Sequence, residues 1–117
     1  MTFTKDQVKN LANVNQVFQL KRLNEKYGGY FFSDNSMRFF NSRIHDTVYG
    51  GCVFVTSEKA PSFRGSRHSR RLYTVRYMDS TGNPHTIGDF QGFDTRSKAH
   101  AYAQNVGIKI DQMRLTL

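Results

Sequence analysis

Apolar side chains recur at helical spacing through the N-terminal part of the chain. They include Val8, Leu11, Val14 and Phe18, at intervals of three or four residues, and the lysines and arginines of the first 26 residues fall on the remaining surface. This stripe predicts an amphipathic helix. Thr4 and Gln7 have the spacing of a capping box at its start, and the Gly-Gly pair at residues 28–29 suits its end. Asn13 and Asn15 leave open a division of the helix into two pieces.

An aromatic run at residues 30–32, YFF, precedes a second and shorter helical pattern. Ser33 or Asp34 can cap a short helix in which Met37 and Phe40 fall on one face. We expect the aromatic run to anchor the core, and the same residues are also compatible with a groove for a base or a partner.

A period of two replaces the helical spacing in the middle of the chain. Residues 47–59, TVYGGCVFVTSEK, are rich in β-branched and aromatic side chains and predict a strand, with a bulge at residues 50–51. The segment RLYTVRYMD alternates more strictly, with Tyr73, Val75 and Tyr77 on one face and, on the other, Leu72, Thr74, Arg76 and Met78. The turn sequence DSTGNP follows, and HTIGDFQGF predicts the partner strand.

The C-terminal part of the chain returns to helical spacing. Thr95 is suited to cap a helix, and Ala99 and Ala103 would let that helix lie close to the sheet. We expect the helix to run through about Asn105 and to end at Gly107. The remaining IKIDQMRLTL predicts a last short strand or a tail.

Together these patterns predict one α+β domain over residues 1–117. Its helical N-terminal part, residues 1–45, contains an N-terminal helix and a short helix. Residues 47–106 are expected to form a three-stranded antiparallel sheet with a C-terminal helix packed on one face. A chain of 117 residues is long enough for one such domain with its own core and too short for two.

The net charge changes the picture, because it is large and unevenly distributed. The chain carries +8 at pH 7, with a sequence pI of about 9.9. Residues 59–117 contain ten basic and four acidic side chains and so hold +6 of that total. A polyanion or an acidic protein surface is therefore an expected partner. No apolar run has the length of a membrane span and the N-terminus lacks a secretion signal, so we expect a cytoplasmic protein without membrane contact.

A basic loop, APSFRGSRHSRR, carries the strongest functional signal. No acidic residue lies between Glu58 and Asp79, and most cations there are arginines, which favour bidentate contacts to phosphate. The predicted binding residues are cations in and around this loop and in the first turn of the C-terminal helix: Lys59, Arg64, Arg67, Arg70, Arg71, Arg76, Arg96 and Lys98. Three interpretations stay open: a solvated loop, a nucleic-acid contact, or a contact to an acidic protein surface.

Candidate catalytic chemistry is sparse in this sequence. His45, His68, His85 and His100 are scattered, and none has a cysteine at metal-binding spacing. Phosphate-loop and nucleophile-elbow motifs are absent. Cys52, the single cysteine, lies within the apolar strand pattern, where a thiol behaves as a small apolar side chain. We therefore expect a non-enzyme without a metal or a cofactor.

The segment YTVRYMDSTGNPHTIGDFQGFDTRSKAHAYAQ, within residues 73–106, resembles the three-strand-plus-helix arm DNA-binding domain of phage tyrosine integrases. The pattern Y-x-V-R-Y-x-D-x-x-G, followed by G-F-x-T-x-x-x-A, is met by Tyr73, Val75, Arg76, Tyr77, Asp79, Gly82, Gly92, Phe93, Thr95 and Ala99. That family lays its sheet in the major groove of DNA. The resemblance therefore implies an outward face formed by Leu72, Thr74, Arg76 and Met78, or by His85 and Ile87.

A second resemblance covers more of the chain: FFSDNSMRFFNSR, VFVTSEK and RRLYTVRY together look like a family of small uncharacterised bacteriophage proteins. It implies a phage accessory protein in the bacterial cytoplasm, where small phage proteins commonly bind host machinery. Combined with the charge, it predicts a non-catalytic protein that binds DNA or RNA, or a host nucleoprotein complex, through its basic surface. The alternative is an inhibitor of a host defence protein, of the restriction or CRISPR type, that acts by protein–protein binding.

Overall fold

The chain forms four helices and four strands within the residues that the computed structural model describes, which are 2–39, 41–59 and 70–117. In chain order they are α1 (Lys5–Lys9), α2 (Val17–Lys26), α3 (Asp34–Phe39), β1 (Arg43–Ile44), β2 (Val53–Lys59), β3 (Arg71–Met78), β4 (Pro84–Thr86) and α4 (Arg96–Arg114). The expected α+β class is confirmed. Arg64, Arg67 and His68 of the predicted basic loop lie outside the described residues.

The four strands form one antiparallel sheet in the order β1-β2-β3-β4, which is one strand more than expected. β2 and β3 pair along most of their length, from Val53 opposite Tyr77 to Lys59 opposite Arg71. The additional strand is β1, which pairs with the second half of β2. A strand of two residues has no alternation of its own, so the pattern of apolar residues does not reveal it.

Residues 47–52, expected as the first part of a strand, form a bridge and a tight turn that lead into β2. The Tyr49 N–H donates to the Val53 carbonyl at 2.8 Å. Gly50 and Gly51 both take positive φ, 57° and 79°. Two consecutive left-handed residues close a turn that glycine adopts without strain, so the predicted bulge is a turn and the strand starts later.

The two faces of the sheet are covered by different parts of the chain. α4 packs on the face that carries Val55 and Val75, and its two alanines, predicted to allow a close approach, are fully buried. On the opposite face Phe54 packs against the rings of Phe31 and Phe32, at centroid distances of 6.4 and 6.1 Å. Phe31 and Phe32 of the aromatic run therefore do anchor the core, on the side that α4 does not cover, whereas Tyr30 of the same run is exposed and does not.

The N-terminal stripe forms two helices, α1 and α2, rather than one. The predicted capping box is present, since Gln7 N–H donates to Thr4 Oγ1 at 3.1 Å and Thr4 N–H donates to Gln7 Oε1 at 2.8 Å. Between the helices the Ala12 N–H donates to the Met78 carbonyl at 3.0 Å. Backbone groups that bond to the sheet cannot also continue a helix, which explains the break. α2 ends before Gly28, whose φ of 78° is left-handed as predicted.

α4 runs through Gly107 and continues to Arg114, so the predicted helix end and the predicted last strand or tail are both wrong. A methyl group on Gly107 would lie 2.6 Å from Tyr49 Cβ and 2.8 Å from the backbone nitrogen of Gly50. Glycine stands here because the helix crosses the turn before β2 at contact distance. Beyond the crossing, Arg114 donates to the Ala12 carbonyl at 2.7 Å and to the Gly50 carbonyl, which ties the helix end to the N-terminal segment.

Replacing Gly107 by alanine is expected to destabilise the fold by about 1–2 kcal/mol, although alanine is the better helix former by about 1 kcal/mol. The added methyl group has no room beside Tyr49 and Gly50. The free energy of unfolding in urea measures the effect, and Asn105→Ala, at an exposed position of the same helix, is the control. A stabilisation by Gly107→Ala similar to that of the control would contradict the close crossing.

Candidate functional site

Cationic side chains from separate segments meet at one end of the sheet. Lys59 ends β2 and lies opposite Arg71, the first residue of β3, which directly follows Arg70. A bridge between Tyr73 and Phe93 brings the start of α4 beside the same strand. We call this region the cationic end and define it by six exposed or half-buried cations: Arg43, Lys59, Arg70, Arg71, Arg96 and Lys98.

The charges at the cationic end act on a common group, His45. Burial of the imidazole, followed by the positive charges of Arg96, His100 and Arg71, lowers the pKa of His45 from 6.5 to about 4. The nearby Asp46 acts in the opposite sense. Because Arg71 belongs to β3 and Arg96 to α4, the two elements contribute charge to one surface.

The six cations differ in how firmly the fold holds them. Arg71 is fixed, since its guanidinium donates to the carbonyl and side-chain oxygens of Asn41 at 3.0 and 3.1 Å and to the Ser57 carbonyl at 3.0 Å. Lys98 Nζ lies 3.1 Å from Asp94 Oδ1 in an exposed ion pair. The predicted cations that are exposed and form no ion pair within the described part of the chain are Lys59, Arg70 and Arg96. These three, together with Arg43, are the cations of this end most available to an anionic ligand.

Two imidazoles pack next to the cationic end. The rings of His45 and His100 meet edge to face at a centroid distance of 5.2 Å, and the Tyr49 hydroxyl lies 2.7 Å from His100 Nδ1. Burial lowers the pKa of His100 as well, and Arg96 acts in the same direction. Both rings are therefore neutral near pH 7, and their contacts join the segment before β2 to α4.

Cys52 is fully buried as predicted, and burial raises the pKa of its thiol to about 12, so the thiol is protonated at neutral pH. Within residues 2–39, 41–59 and 70–117, no three or more His, Cys, Asp or Glu side chains are grouped so as to hold a metal ion. In the same ranges no helix has the length and apolar character needed to cross a membrane.

Arg76 lies apart from the other predicted cations, on the face of the sheet opposite α4. Only 12% of its side chain is exposed, and its Nη2 lies 3.4 Å from Glu58 Oε1. Its Nε donates to Thr56 Oγ1 at 2.9 Å. The guanidinium carbon lies 4.9 Å from the ring centre of Phe31 and 5.6 Å from that of Phe90. Burial lowers the pKa of Arg76, and Glu58 opposes that shift.

A pocket of about 310 Å³ opens beside Arg76. We call it the Arg76 pocket; its principal lining residues are Phe31, Met37, Ser42, Glu58, Arg76 and Phe90. Glu58 is only 2% exposed and accepts hydrogen bonds from the hydroxyls of Thr56 at 2.8 Å and Thr74 at 3.2 Å. The carboxylate is stable at this depth because a cation and two hydroxyls satisfy it. The volume lies at the lower end of the range for small-ligand sites.

The sheet face that the integrase resemblance implies as a DNA-binding surface is not open in this fold. Thr74 and Met78 are fully buried, and Phe31 and Met37 stand over the same face beside Arg76. On the alternative outward face, His85 of β4 is exposed, whereas Ile87, just after β4, is only 1% exposed. Phe31 and Met37 come from before residue 73, outside the segment that carries the resemblance, so that segment alone does not reveal this part of the cover.

Two charged residues of these regions were missed by sequence reasoning. Arg43 belongs to the cationic end through the two-residue strand β1, for which the sequence has no periodic signal. Glu58 did have a signal in the sequence, since it is an acidic residue that falls on the same face of the strand as Phe54 and Thr56. An ionised side chain at such a position requires a buried cation or hydroxyl partner.

Residues 16–104 match the model of a family of unknown function, DUF7447, and so 89 of the 117 residues are covered. The chain belongs to this family. The matched segment contains every residue of the cationic end and of the Arg76 pocket, and it leaves out α1 and the last part of α4. No curated protein and no solved structure matches the chain.

Replacing Arg76 by glutamine is expected to lower the free energy of unfolding by about 3 kcal/mol, because the buried Glu58 carboxylate loses its cation. The double variant with Glu58→Gln should recover part of that loss, since no buried charge is left. Urea denaturation of the two single variants and the double variant measures the coupling. Arg22→Gln, which removes an exposed arginine lying over the ring of Phe18, is the control and should change stability by less than about 0.5 kcal/mol. Additive effects would contradict the pairing.

The stability of the fold is expected to fall as the pH is lowered from 6.5 to about 4. The unfolded chain protonates His45 near its ordinary pKa of 6.5, whereas the folded protein keeps the ring neutral down to about 4, so proton uptake favours unfolding in that interval. His45→Gln should flatten the dependence in part, because His100, whose pKa is also lowered, still titrates. Unfolding free energies measured across this interval test the expectation, and identical pH profiles for the two proteins would refute it.

Proposed function

We propose that the protein is a non-catalytic binding protein that holds the sugar–phosphate backbone of DNA or RNA on its cationic end. The observation that carries the proposal is the convergence of three exposed cations, Lys59, Arg70 and Arg96, from the end of β2, the start of β3 and the start of α4. Each such side chain neutralises a phosphate and releases a condensed counterion, which favours binding to any nucleic acid regardless of sequence.

The start of α4 adds to the anion-binding character of this end. The helix has 19 residues, and its first-turn N–H groups carry the positive end of the helix dipole. Thr95 caps one of these groups through a 3.3 Å hydrogen bond from Lys98 N–H. The acidic neighbours at this end include Asp46 and Asp94, and Lys98 pairs with the second of them.

A second candidate function is binding to a protein partner, as an inhibitor of a host defence protein would require. Large aromatic side chains on α3 and just before it favour this candidate, since Tyr30 is 78% and Phe39 is 81% exposed. Aromatic residues are enriched at protein interfaces. The bacteriophage resemblance gives both candidates the same setting, a bacterial cytoplasm containing host nucleoprotein complexes.

Replacing Lys59, Arg70 and Arg96 together by glutamine is expected to weaken nucleic-acid binding and to reduce its salt dependence. For a single strand, the slope of log affinity against log salt should become less steep by about 2, because three phosphate contacts are lost. Fluorescence anisotropy with labelled single-stranded and duplex oligonucleotides at several salt concentrations measures the slope. Arg71 is left intact in this variant because its hydrogen bonds to Asn41 and Ser57 hold the fold.

The matched control replaces Lys5, Lys9 and Lys21 by glutamine, which also lowers the net charge from +8 to +5. α1 and α2, which carry these exposed lysines, lie by the far end of β3, where Leu11 bridges to Asp79 and Asn24 Nδ2 donates to the Gly82 carbonyl. That end of the strand is about 25 Å from Arg71. Equal losses in both variants would mean that total charge, rather than this surface, governs binding. Absence of binding by the native protein at ~50 mM salt would overturn the proposal in favour of a protein partner.

A further inference from the structure

Three rings from separate segments pack against one another beside the cationic end. The His45 ring, directly after β1, lies 5.6 Å from the ring of Tyr73 on β3 and 5.2 Å from that of His100 on α4, measured between ring centres. The backbone N–H of His45 donates to the Val55 carbonyl at 3.0 Å, so this edge of the sheet is still bonded to β2. We call His45, Tyr73 and His100 the ring cluster; it joins the edge of the sheet to α4.

Each ring of the cluster has an arginine of the same segment beside it, on the side of the cationic end. At β1 and on β3 the arginine stands two residues before the ring, so the two side chains lie on one face of the strand. On α4 it stands four residues before the ring, which places it one helical turn away on the same face. β1 and β3 run away from the cationic end and α4 starts there, so all three arginines are displaced in one direction. We call Arg43, Arg71 and Arg96 the arginine triad.

Hydrogen bonds and strand register bring the Arg71 guanidinium next to Arg43. Arg71 Nη1 donates to the carbonyl and hydroxyl oxygens of Ser57, each at 3.0 Å, so the guanidinium lies against β2, the strand between the two arginines. Ser57 is the direct partner of Arg43 in the β1–β2 ladder, where paired Cα atoms are about 5 Å apart. Burial, followed by the positive charge of Arg43, lowers the pKa of Arg71, while Tyr73 and Glu58 act in the opposite sense. Two like charges are therefore neighbours at this point.

The third arginine meets this pair at the imidazole of His45. After the larger effect of burial, Arg96 and Arg71 both lower the pKa of that ring, and His100 acts in the same direction. Asp46 is the acidic group that opposes them. Within the part of the chain that the structure describes, no member of the arginine triad forms an ion pair with a carboxylate. Three positive charges are thus concentrated in one corner of the fold, over a floor of neutral rings.

The number of guanidinium groups in this corner indicates the kind of anion that suits it. An internal phosphate of a nucleic-acid strand carries a single negative charge. A phosphate monoester at the end of a strand carries about −1.5 to −2 charges at pH 7 and presents three strong acceptor oxygens. Guanidinium groups bind such oxygens through paired, charge-assisted N–H donors. Three arginines from three segments therefore match a terminal phosphate better than an internal one.

We propose that the arginine triad binds one phosphate monoester, the terminal phosphate of a DNA or RNA strand whose backbone lies on the cationic end. This inference rests on the proposed function and deepens it, because it makes strand ends the preferred ligand. Lys59 and Arg70 hold the phosphodiesters next to the end, and Arg96 contributes to both contacts. The ring cluster supports the three guanidinium groups from below.

The test compares oligonucleotides of one sequence that end in a 5′-phosphate, in a 3′-phosphate or in hydroxyl groups only. By fluorescence anisotropy with an internal label, the native protein should bind at least one phosphorylated form about 10-fold more tightly than the hydroxyl form, the gain expected from one additional charge-assisted hydrogen bond. Arg43→Gln should remove most of this gain. It should keep most of the affinity for the hydroxyl form, since the Arg43 side chain is exposed and the backbone cations are intact.

Two controls distinguish a terminal phosphate from added charge. A hydroxyl-ended oligonucleotide that is one nucleotide longer adds a negative charge without a monoester and should not reproduce the gain. Arg22→Gln, which removes an exposed arginine of α2, matches the charge change of Arg43→Gln and should keep the full gain. Circular dichroism checks that both variants are folded.

A second measurement uses the His45 ring as a reporter of the site. The charged and titratable groups that face this ring are Asp46, Arg71, Tyr73, Arg96 and His100. Proton NMR follows the ring signals from pH 7 down to about 4 in inorganic phosphate and, at the same ionic strength, in chloride. Phosphate should raise the pKa of His45 above its value of about 4, because a bound anion offsets the guanidinium charges while the effect of burial stays. Arg43→Gln should reduce this rise.

The two measurements separate failure of the arginine triad from failure of the proposed function. If oligonucleotides bind but a terminal phosphate gives no more than the longer strand does, or if Arg43→Gln keeps the full gain, the triad inference is overturned and backbone binding stands. If no oligonucleotide binds but inorganic phosphate raises the pKa of His45 in the native protein and not in Arg43→Gln, backbone binding is wrong, and the triad is a site for phosphate groups carried by something other than nucleic acid. If neither ligand binds, both proposals fall.

Discussion

The burial of one carboxylate, that of Glu58, determines how a whole face of the sheet is built. A charge at 2% exposure in a central strand is tolerated only if cations and hydroxyls satisfy it, and here Thr56, Thr74 and Arg76 do so. Arg76 is held in turn against an aromatic ring from the segment before α3. The partners that Glu58 requires thus connect β2 to β3. Arg76, one of these partners, also contacts the segment before α3, which covers the same face of the sheet.

The two faces of the sheet follow different packing rules. On one face α4 approaches through alanines and Gly107 until backbones are in contact, and the result is a closed, apolar interface. On the other face Glu58 and Arg76 lie among large side chains such as Phe31, and a pocket is left between them. The face that α4 covers is close-packed and therefore rigid, and the pocket on the opposite face offers space for a ligand.

Local chemistry explains which parts of the fold could be predicted from the sequence. The capping box at Thr4, the cap at Thr95 and the alternation of β3 depend on neighbouring residues, and all three are present in the structure. Gly107 was wrongly predicted to end the helix, because a glycine that ends a helix and a glycine that permits a close crossing cannot be distinguished from the sequence alone. Five of the six residues of the cationic end could be predicted because the charge is concentrated in the sequence itself. The pocket could not, because it depends on the pairing of Glu58 with a residue 18 positions away.

The crossing of α4 over the turn at Gly50 also sets the geometry of the opposite end of that helix. A helix of this length behaves as a rigid rod, and Arg96 lies about 16 Å along it from Gly107. A shift or tilt of the helix at its contact with Gly50 therefore also moves the cations in its first turn. A larger side chain at position 107 would therefore change where these charges stand relative to β3, without any change in the charges themselves.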